Sequence, residues 1–194
     1  MNLFDMTIKA PPQGLVYSPD FIIREEEKEL VAWIDEQPWE TELKRRRQFY
    51  GTSYISGEEH QEMAPILVNL AQRLFDEGLV TAVSNQVLIN EYFPGQGIAA
   101  HIDYNSGKTS QVVTISLLDT YPMEFANPTT GETFEQWLAR RSVCVMSGPS
   151  RYDWTHEIVK RKADFIEGGG RRVRGRRISV TLRTRGEQAI AQSA

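Results

Sequence analysis

Three side chains have the types and spacing of a metal site. His101 and Asp103 are two residues apart, so on an extended strand both side chains point to the same face. His156 follows in another strand-like segment, whereas His60 lies in an acidic, polar stretch that we interpret as surface. Two imidazoles and one carboxylate are the ligands of a facial iron(II) triad, which leaves coordination positions open. Spacing alone also permits a surface turn at His101 and Asp103 and an ordinary core histidine at His156.

A second polar face is predicted on the last strand. Arg177, Ser179 and Arg183 share one face of an extended segment, and the apolar residues between them face a core. Two arginines that face into a barrel need anionic partners, because an unpaired buried charge is costly. A dicarboxylate fits, since each guanidinium can bind a carboxylate through two hydrogen bonds. Asn90 and Tyr92 alternate in the same way on an earlier strand and would extend this polar floor; a solvated edge strand is the alternative.

Basic residues are concentrated in two clusters, although the net charge of −4 on its own argues against a nucleic-acid partner. The cluster at 44–47 is followed by Phe49 and Tyr50, and cations beside aromatic stacking surfaces suit single-stranded nucleic acid. A solvated basic face with two core aromatics is the alternative. The second cluster, at 171–177, follows the triple glycine 168–170, and its first part, 171–174, is predicted to be a mobile basic loop, with contact to RNA or DNA left open.

The cellular location is predicted from the single cysteine and the hydropathy. Cys144 lies in an apolar run, which predicts a buried thiol rather than a nucleophile and suits a reducing compartment. No run approaches the ~18 apolar residues that a transmembrane helix needs. The first residues lack a basic region followed by an apolar stretch. We therefore predict a cytoplasmic protein without membrane contact.

The hydrophobic periodicity predicts helices followed by strands. An amphipathic pattern with glutamates in its first turn predicts a helix over Arg24–Glu36, and a second is predicted over 65–77. Short strands or a hairpin are predicted within 44–57. Further strands are predicted at 15–17, 87–93, 112–117, 123–125, 137–138, 142–147, 156–159 and 177–183. This order favours an α+β fold in which two helices pack against a double-sheet β barrel.

Three segments resemble the signature of the AlkB family. They run from Asn90 to Asp103 (NEYFPGQGIAAHID), from Ser147 to His156 (SGPSRYDWTH) and from Arg177 to Arg183 (RISVTLR), in the family's order. The resemblance covers roughly residues 15–185. In its motifs it is similar to the branch that hydroxylates wobble uridine in tRNA and to the bacterial relatives of that branch.

The resemblance implies an Fe(II)/2-oxoglutarate-dependent dioxygenase with a double-stranded β-helix (jelly-roll, cupin-like) barrel, as a single domain over residues 1–194. Within it, 1–14 would be an irregular arm, 44–57 a nucleotide-recognition lid and 186–194 a frayed tail. Iron(II), 2-oxoglutarate as cosubstrate and O₂ would be required. The implied reaction demethylates or hydroxylates modified bases in single-stranded DNA or RNA, carried out by a protein that we expect to be a monomer.

The resemblance also implies roles for individual residues. The implied metal ligands are His101, Asp103 and His156. Arg177 and Tyr92 would hold the distal carboxylate of 2-oxoglutarate, and Arg183 and Asn90 would lie beside the carboxylate that chelates iron. Ser179 stands where many AlkB proteins carry Asn, and its hydroxyl can donate one hydrogen bond in that place.

The resemblance implies substrate contacts in three places. These are the lid, the residues that follow Asp103 and the residues close to His156. Where DNA-repair members often carry an acid, this chain has Asn105, whose amide both donates and accepts. Tyr104 and Trp154 flank iron ligands, with core packing as the alternative for both. The predicted substrate residues are Arg46, Arg47, Phe49, Tyr50, Tyr104, Asn105 and Trp154.

Two other functions remain compatible with these residues. A 2-oxoglutarate oxygenase acting on a protein or a small molecule would share the iron site without needing a basic lid. Replacing Arg45, Arg46 and Arg47 together distinguishes it, because that change should impair only the nucleic-acid enzyme. A non-catalytic binding module would keep the barrel and lose turnover, and succinate release coupled to O₂ consumption would exclude it.

Overall fold

The computed structural model describes residues 10–42, 45–52, 61–103, 110–166 and 168–184. The elements in chain order are β1 Leu15–Ser18, α1 Arg24–Glu36, β2 Arg47–Gly51, α2 Pro65–Asp76, β3 Gln86–Tyr92, β4 Ile98–His101, β5 Gln111–Leu117, β6 Tyr121–Ala126, β7 Thr133–Leu138, β8 Val143–Ser147, α3 Pro149–Tyr152, β9 Thr155–Ile158, β10 Ala163–Ile166, β11 Gly170–Val173 and β12 Arg177–Arg183. In the part of the chain so described, no helix is long and apolar enough to cross a bilayer.

The strands form two main antiparallel sheets and a separate hairpin. One sheet has the order β1-β8-β5-β12-β3-β2 and the other the order β4-β9-β6-β7, while β10 pairs with β11 alone. This is the predicted double-stranded β-helix with a few supporting helices. The helix α1 has its predicted bounds, and α2 ends one residue earlier than predicted.

The six-stranded sheet is covered by α1 and α2 on its outer face. Alternation along β12 directs Ile178, Val180 and Leu182 into this larger core, where all three are fully buried. The helices contribute apolar side chains from their inward faces: Leu30, Ile34, Leu67, Leu70, Ala71 and Leu74. Burying each large aliphatic chain contributes roughly 1.5–3 kcal/mol, which holds β12 rigidly in the sheet.

A second core lies between the two sheets and contains the single cysteine. Cys144 is 2% exposed among aromatic and methionine side chains, such as Phe125 and Met146. Burial raises the pKa of the Cys144 thiol to about 12. The side chain is therefore a protonated apolar group at neutral pH, as the sequence predicts.

The segment after β9 differs from its predicted form. The sequence predicts a flexible loop at 168–170, whereas Gly168 and Gly169 lie in the turn between β10 and β11 and Gly170 begins β11. Gly168 and Gly169 adopt φ values of +90° and +86°, which favour glycine because it lacks a Cβ. The glycines therefore allow the backbone to form the tight turn of a hairpin.

The arginines that follow this turn are held by carboxylates. Arg174 is 2% exposed, and its Nη2 lies 2.6 Å from the Oδ1 atom of Asp164. Arg172 pairs with Asp119 and donates to the carbonyl oxygen of Thr120. The prediction of a mobile basic loop is therefore wrong, because both guanidinium groups tie the hairpin to the barrel.

The ends of the chain and the predicted lid are only partly described. Of the predicted arm 1–14, residues 10–14 are described, and the carbonyl oxygen of Gly14 accepts hydrogen bonds from the backbone N–H and the hydroxyl of Ser147, each at 3.0 Å. Residues 1–9, the predicted tail 186–194 and His60 lie outside the described residues. Of the predicted lid 44–57, residues 45–52 are described.

Candidate active site

The three predicted metal ligands converge at the mouth of the barrel. His101 ends β4 and lies directly opposite His156 of β9, and a register irregularity between Ile98 and His101 sets this pairing. Asp103 follows two residues after β4, and its two carboxylate oxygens lie 3.9 Å and 3.7 Å from Nε2 of His101 and of His156. The ligand atoms all lie within 4.8 Å of one another, so a single ion could contact all three.

Hydrogen bonding and burial prepare both imidazoles for a metal. Nδ1 of His101 lies 2.8 Å from the carbonyl oxygen of Ala99, which can only accept, so Nδ1 is the donor and Nε2 is the nitrogen left to face a metal. Burial, with the charges of His101 and Arg151, lowers the pKa of His156 to about 3. Burial raises the pKa of Asp103 against the opposing charges of His101 and Arg151. A neutral His156 can coordinate without first losing a proton.

Arg151 is a positioning residue that the sequence reading did not assign. It lies in α3, is 2% exposed, and donates from Nη1 to the backbone carbonyl oxygen of Asp103 at 2.9 Å. Its position within the segment Ser147–His156, between a strand and a metal ligand, was the available signal. The contact fixes the backbone from which the Asp103 carboxylate projects.

The predicted polar floor lies directly below the metal ligands. In the register between β12 and β3, Arg177 faces Tyr92 and Ser179 faces Asn90. Nη2 of Arg183 lies 2.6 Å from the Oδ1 atom of Asp103. The floor therefore joins the metal cluster through an ion pair.

Arg177 is a buried cation without an acidic partner among the described residues. It is 1% exposed, donates from Nη2 to Ser116 at 2.7 Å, and lies 5.6 Å and 5.7 Å from the rings of Tyr92 and Tyr121. Its Nε makes no hydrogen bond within the described chain, and no described carboxylate lies within 4.0 Å of the guanidinium. Burial lowers the pKa of Arg177. Such a group is costly unless an anion joins it, so this position fits a carboxylate ligand.

One cavity, of about 70 Å³, is lined by both the metal ligands and the polar floor. Its polar lining consists of Arg45, Asn90, Tyr92, His101, Asp103, Thr114, His156, Arg177, Ser179, Thr181 and Arg183. Leu88, Ile98, Met123, Met146 and Ile158 supply the apolar walls. The cavity thus offers metal ligands, cations and apolar surface within one half-closed space.

A larger cavity, of about 610 Å³, lies on the outer face of the four-stranded sheet. It is lined by Glu124, Glu135 and Glu157, which face one another across β7, β6 and β9. Carboxylates would repel phosphates, and none of the metal ligands lines this cavity. We therefore place the active site in the smaller cavity.

The structure separates the predicted lid residues from the cavity. Nε of Arg46 lies 2.5 Å from Glu91, and Nη2 of Arg47 lies 3.1 Å from Glu40, so both cations have acidic partners. The guanidinium of Arg47 also lies over the ring of Phe49, at 5.1 Å from its centroid. None of these residues lines the cavity, whereas Arg45, a member of the predicted basic cluster 44–47, does.

The aromatic residues predicted to contact the substrate lie elsewhere. Tyr50 is 2% exposed in the larger core, packs 5.3 Å from Trp33 and donates to Gln48, so it is not accessible to a base. Trp154 is 8% exposed in the core between the sheets, as its packing alternative predicts. Tyr104 and Asn105 lie outside the described residues, so their substrate roles stay predictions.

Comparisons with known proteins agree with this geometry. Residues 34–183 match the profile of the 2OG-Fe(II) oxygenase superfamily. The chain is 34% identical over 182 residues to the mouse tRNA (carboxymethyluridine(34)-5-O)-methyltransferase ALKBH8, covering 84% of this chain and 27% of that protein. It is 32% identical over 180 residues to the bovine mitochondrial alpha-ketoglutarate-dependent dioxygenase alkB homolog 7, covering 87% of this chain and 77% of the relative.

The fold also matches a solved structure. An oxidoreductase of the 2OG-Fe(II) oxygenase family from Burkholderia pseudomallei superposes with a TM-score of 0.67 at 18% identity, covering 93% of this chain and 89% of that one. At this identity the likeness concerns the fold alone. The chain spans only about a quarter of the mouse relative's length, so the comparison covers one part of that protein.

Proposed function

The chain belongs to the 2OG-Fe(II) oxygenase superfamily, as an AlkB-like member, and from this premise we propose that it oxidises modified bases in single-stranded nucleic acid. The enzyme is a dioxygenase that uses Fe(II), 2-oxoglutarate and O₂. On an N-methyl base, hydroxylation would release formaldehyde and so remove the methyl group. On a carbon substituent of the base, the alcohol would persist.

The single observation that carries the proposal is the placement of the metal cluster and Arg177 in one cavity. The residues fit the cofactors: three ligand atoms lie within 4.8 Å, and a buried guanidinium lacks an acidic partner in the described chain. We assign the iron to His101, Asp103 and His156. Bound Fe(II) and 2-oxoglutarate supply the capacity to oxidise a C–H bond with O₂.

The remaining side chains of the cavity would orient the cosubstrate. Arg177, beside Tyr92, would bind its distal carboxylate, because this guanidinium is 1% exposed and its Nε makes no hydrogen bond within the described chain. Arg183 and Asn90 would lie beside the carboxylate nearer the metal, since Arg183 already contacts Asp103. Ser179 faces the cavity between the two arginines and would donate one hydrogen bond.

The nucleic-acid substrate is supported by two further features. The mouse relative is named for a reaction on carboxymethyluridine of tRNA, which makes a modified base the first substrate to test. The chain also places one basic residue of the predicted lid, Arg45, in the lining of the cavity. A cation in the lining of a site favours an anionic substrate.

The proposal can be tested by mass spectrometry of oligonucleotides. Matched single-stranded RNA and DNA, each with an N-methylated base or a modified wobble uridine, are incubated with protein, Fe(II), ascorbate and 2-oxoglutarate. Loss of a methyl group indicates demethylation, and gain of one oxygen atom indicates stable hydroxylation. Asp103→Ala serves as the inactive control, because it removes one of the three metal ligands.

The same assay distinguishes the alternatives. Succinate formation in the presence of O₂ without any change in an oligonucleotide would favour an oxygenase with a protein or small-molecule substrate. Replacement of Arg45 should impair oxidation of oligonucleotides and leave succinate formation without an oligonucleotide unchanged. If this variant oxidises oligonucleotides as well as the wild type, the proposed use of Arg45 is wrong.

A further inference from the structure

Arg45 differs from its two neighbours in where its charge lies. Arg46 and Arg47 are paired with Glu91 and Glu40, whereas Arg45 lines the cavity of the active site. Its Nε donates to the side-chain oxygen of Asn90 at 3.1 Å. Among the described residues, no carboxylate lies within 4.0 Å of Arg45, and its Nη1 and Nη2 atoms make no hydrogen bond. The guanidinium is therefore anchored at one edge and open at the other.

The charges of the cavity indicate what this open edge would bind. The cavity is lined by three guanidinium groups, those of Arg45, Arg177 and Arg183, and by one carboxylate, that of Asp103. When Fe(II) and the dianion 2-oxoglutarate are added, the positive charges still exceed the negative charges by two. Such an excess inside a half-closed site is stabilised by one more anion.

The third guanidinium is not needed for the cosubstrate. Arg177 and Arg183 come from β12 and provide one guanidinium for each carboxylate of 2-oxoglutarate. Arg45 comes instead from the edge of the sheet, because it precedes the edge strand β2, which β3 separates from β12. Its two other nitrogens, Nη1 and Nη2, lie in one plane and can each donate to one oxygen of the same oxyanion.

We propose that Arg45 is a specificity-determining residue that binds an oxyanion carried by the nucleotide under oxidation, and this inference rests on the proposed function. The oxyanion is either the phosphate next to the target base or a carboxylate on the base itself. Both present oxygens that a guanidinium can bind through two hydrogen bonds. Asn90 holds the guanidinium in place for this contact.

The test measures binding without turnover. The full-length protein is loaded with Fe(II) and 2-oxoglutarate under anaerobic conditions, and ligand affinity is measured by calorimetry. One arm compares uridine with uridine 5′-monophosphate. The other compares two oligonucleotides that differ only in carrying 5-carboxymethyluridine or its neutral methyl ester.

The variants are Arg45→Met, Arg45→Lys and, as a matched control, Arg47→Met. We expect the wild type to bind the anionic member of at least one pair roughly tenfold more tightly, because a charged hydrogen bond is lost with the neutral ligand. Arg45→Met should abolish this preference, and Arg45→Lys should restore part of it. Arg47→Met should retain it, since Arg47 is already paired with Glu40.

A second readout separates substrate binding from cosubstrate binding. The affinity for 2-oxoglutarate is measured from the visible charge-transfer absorption of its complex with Fe(II), which also reports that each variant is folded. Arg45→Met should leave this affinity within about twofold of the wild type, because Arg177 and Arg183 remain in place. A loss of 2-oxoglutarate affinity with unchanged nucleotide binding would overturn the inference.

The remaining outcomes are equally decisive. A preference confined to the monophosphate identifies the phosphate as the oxyanion, and one confined to the modified oligonucleotide identifies the carboxylate. Equal binding of charged and neutral ligands by the wild type, or identical behaviour of Arg45→Met and Arg47→Met, overturns the inference. Failure of the proposed function appears separately, as an absence of oxidised oligonucleotide in air, because the binding arms do not depend on turnover.

Discussion

Two arginine-rich segments, Arg45–Arg47 and Arg171–Arg177, have similar compositions and similar structural arrangements. In each, most guanidinium groups are held by carboxylates within the fold. In each, one arginine instead faces the cavity without a described acidic partner: Arg45 in the first and Arg177 in the second. Local density of positive charge is thus a poor guide to the cations that are free to bind a ligand.

The two segments also meet at a shared residue. Glu91 is fully buried and accepts hydrogen bonds from Arg46 at 2.5 Å and 2.8 Å and from Arg176 at 2.7 Å. Arg176 is further held by Asp35 of α1. The paired arginines therefore anchor both segments, and the anchors direct their neighbours Arg45 and Arg177 toward the cavity.

The largest expected effect in this comparison is that of removing the acid from the most buried pair. Asp164→Asn leaves the Arg174 guanidinium, whose side chain has no exposed surface, without its carboxylate. Breaking a buried pair in this way costs about 3–5 kcal/mol. Urea denaturation should therefore show a large fall in the free energy of unfolding. A loss below about 1 kcal/mol would mean that Arg174 does not depend on this pair.

The next effect concerns the unpaired member of the same segment. Arg177→Met should raise the dissociation constant of 2-oxoglutarate by about 100-fold, because two charged hydrogen bonds are lost. Without ligand, its free energy of unfolding should stay equal or rise, since a buried cation is removed. Anaerobic titration of the charge-transfer band and urea denaturation measure the two quantities. Arg176→Met, at the adjacent paired arginine, should lower the free energy of unfolding and leave the dissociation constant of 2-oxoglutarate unchanged.

A smaller effect is expected at the shared carboxylate. Glu91→Gln keeps the shape of the side chain but removes the charge that holds Arg46 and Arg176, which should cost about 1–3 kcal/mol of unfolding free energy. The anion preference assigned to Arg45 should also weaken, because its neighbour loses its anchor. Calorimetry on the same ligand pairs measures this coupling. An unchanged preference would show that Arg45 is held by Asn90 alone.

The smallest effect is expected where the paired residues are most exposed. The side chain of Glu40 is 46% exposed, and its contact with Arg47 is a single hydrogen bond at 3.1 Å. Glu40→Gln should change the free energy of unfolding by less than about 1 kcal/mol, because solvent screens such pairs. A larger change in the free energy of unfolding would mean that this exposed pair stabilises the fold as much as the buried pairs do.

The parts of the site that could be predicted are those set by strand periodicity. The alternation along β12 predicts both the apolar face toward the helices and the polar face toward the cavity, and the structure has both. The spacing of His101 and Asp103 predicts the metal cluster together with the segment Ser147–His156, which resembles the AlkB signature. These features depend on local repeats and on motif order, which the sequence contains directly.

The parts that could not be predicted depend on long-range partners. Arg45, Arg46 and Arg47 are identical in type, and the one that reaches the cavity, Arg45, lies before β2, where strand alternation does not apply. The β10–β11 hairpin was obscured because a glycine run is typical of both a tight turn and a flexible loop. The cytoplasmic location, the monomeric state and the single-domain organisation stay predictions.

The contact between Arg151 and the backbone of Asp103 has a consequence for metal loading. The short stretch from α3 to β9 provides one metal ligand, His156, and holds the chain that carries another. Any displacement of this stretch would move two donors of the triad together. A mutation in α3 that displaces this stretch should therefore abolish iron binding, whereas the loss of one ligand alone would only weaken it.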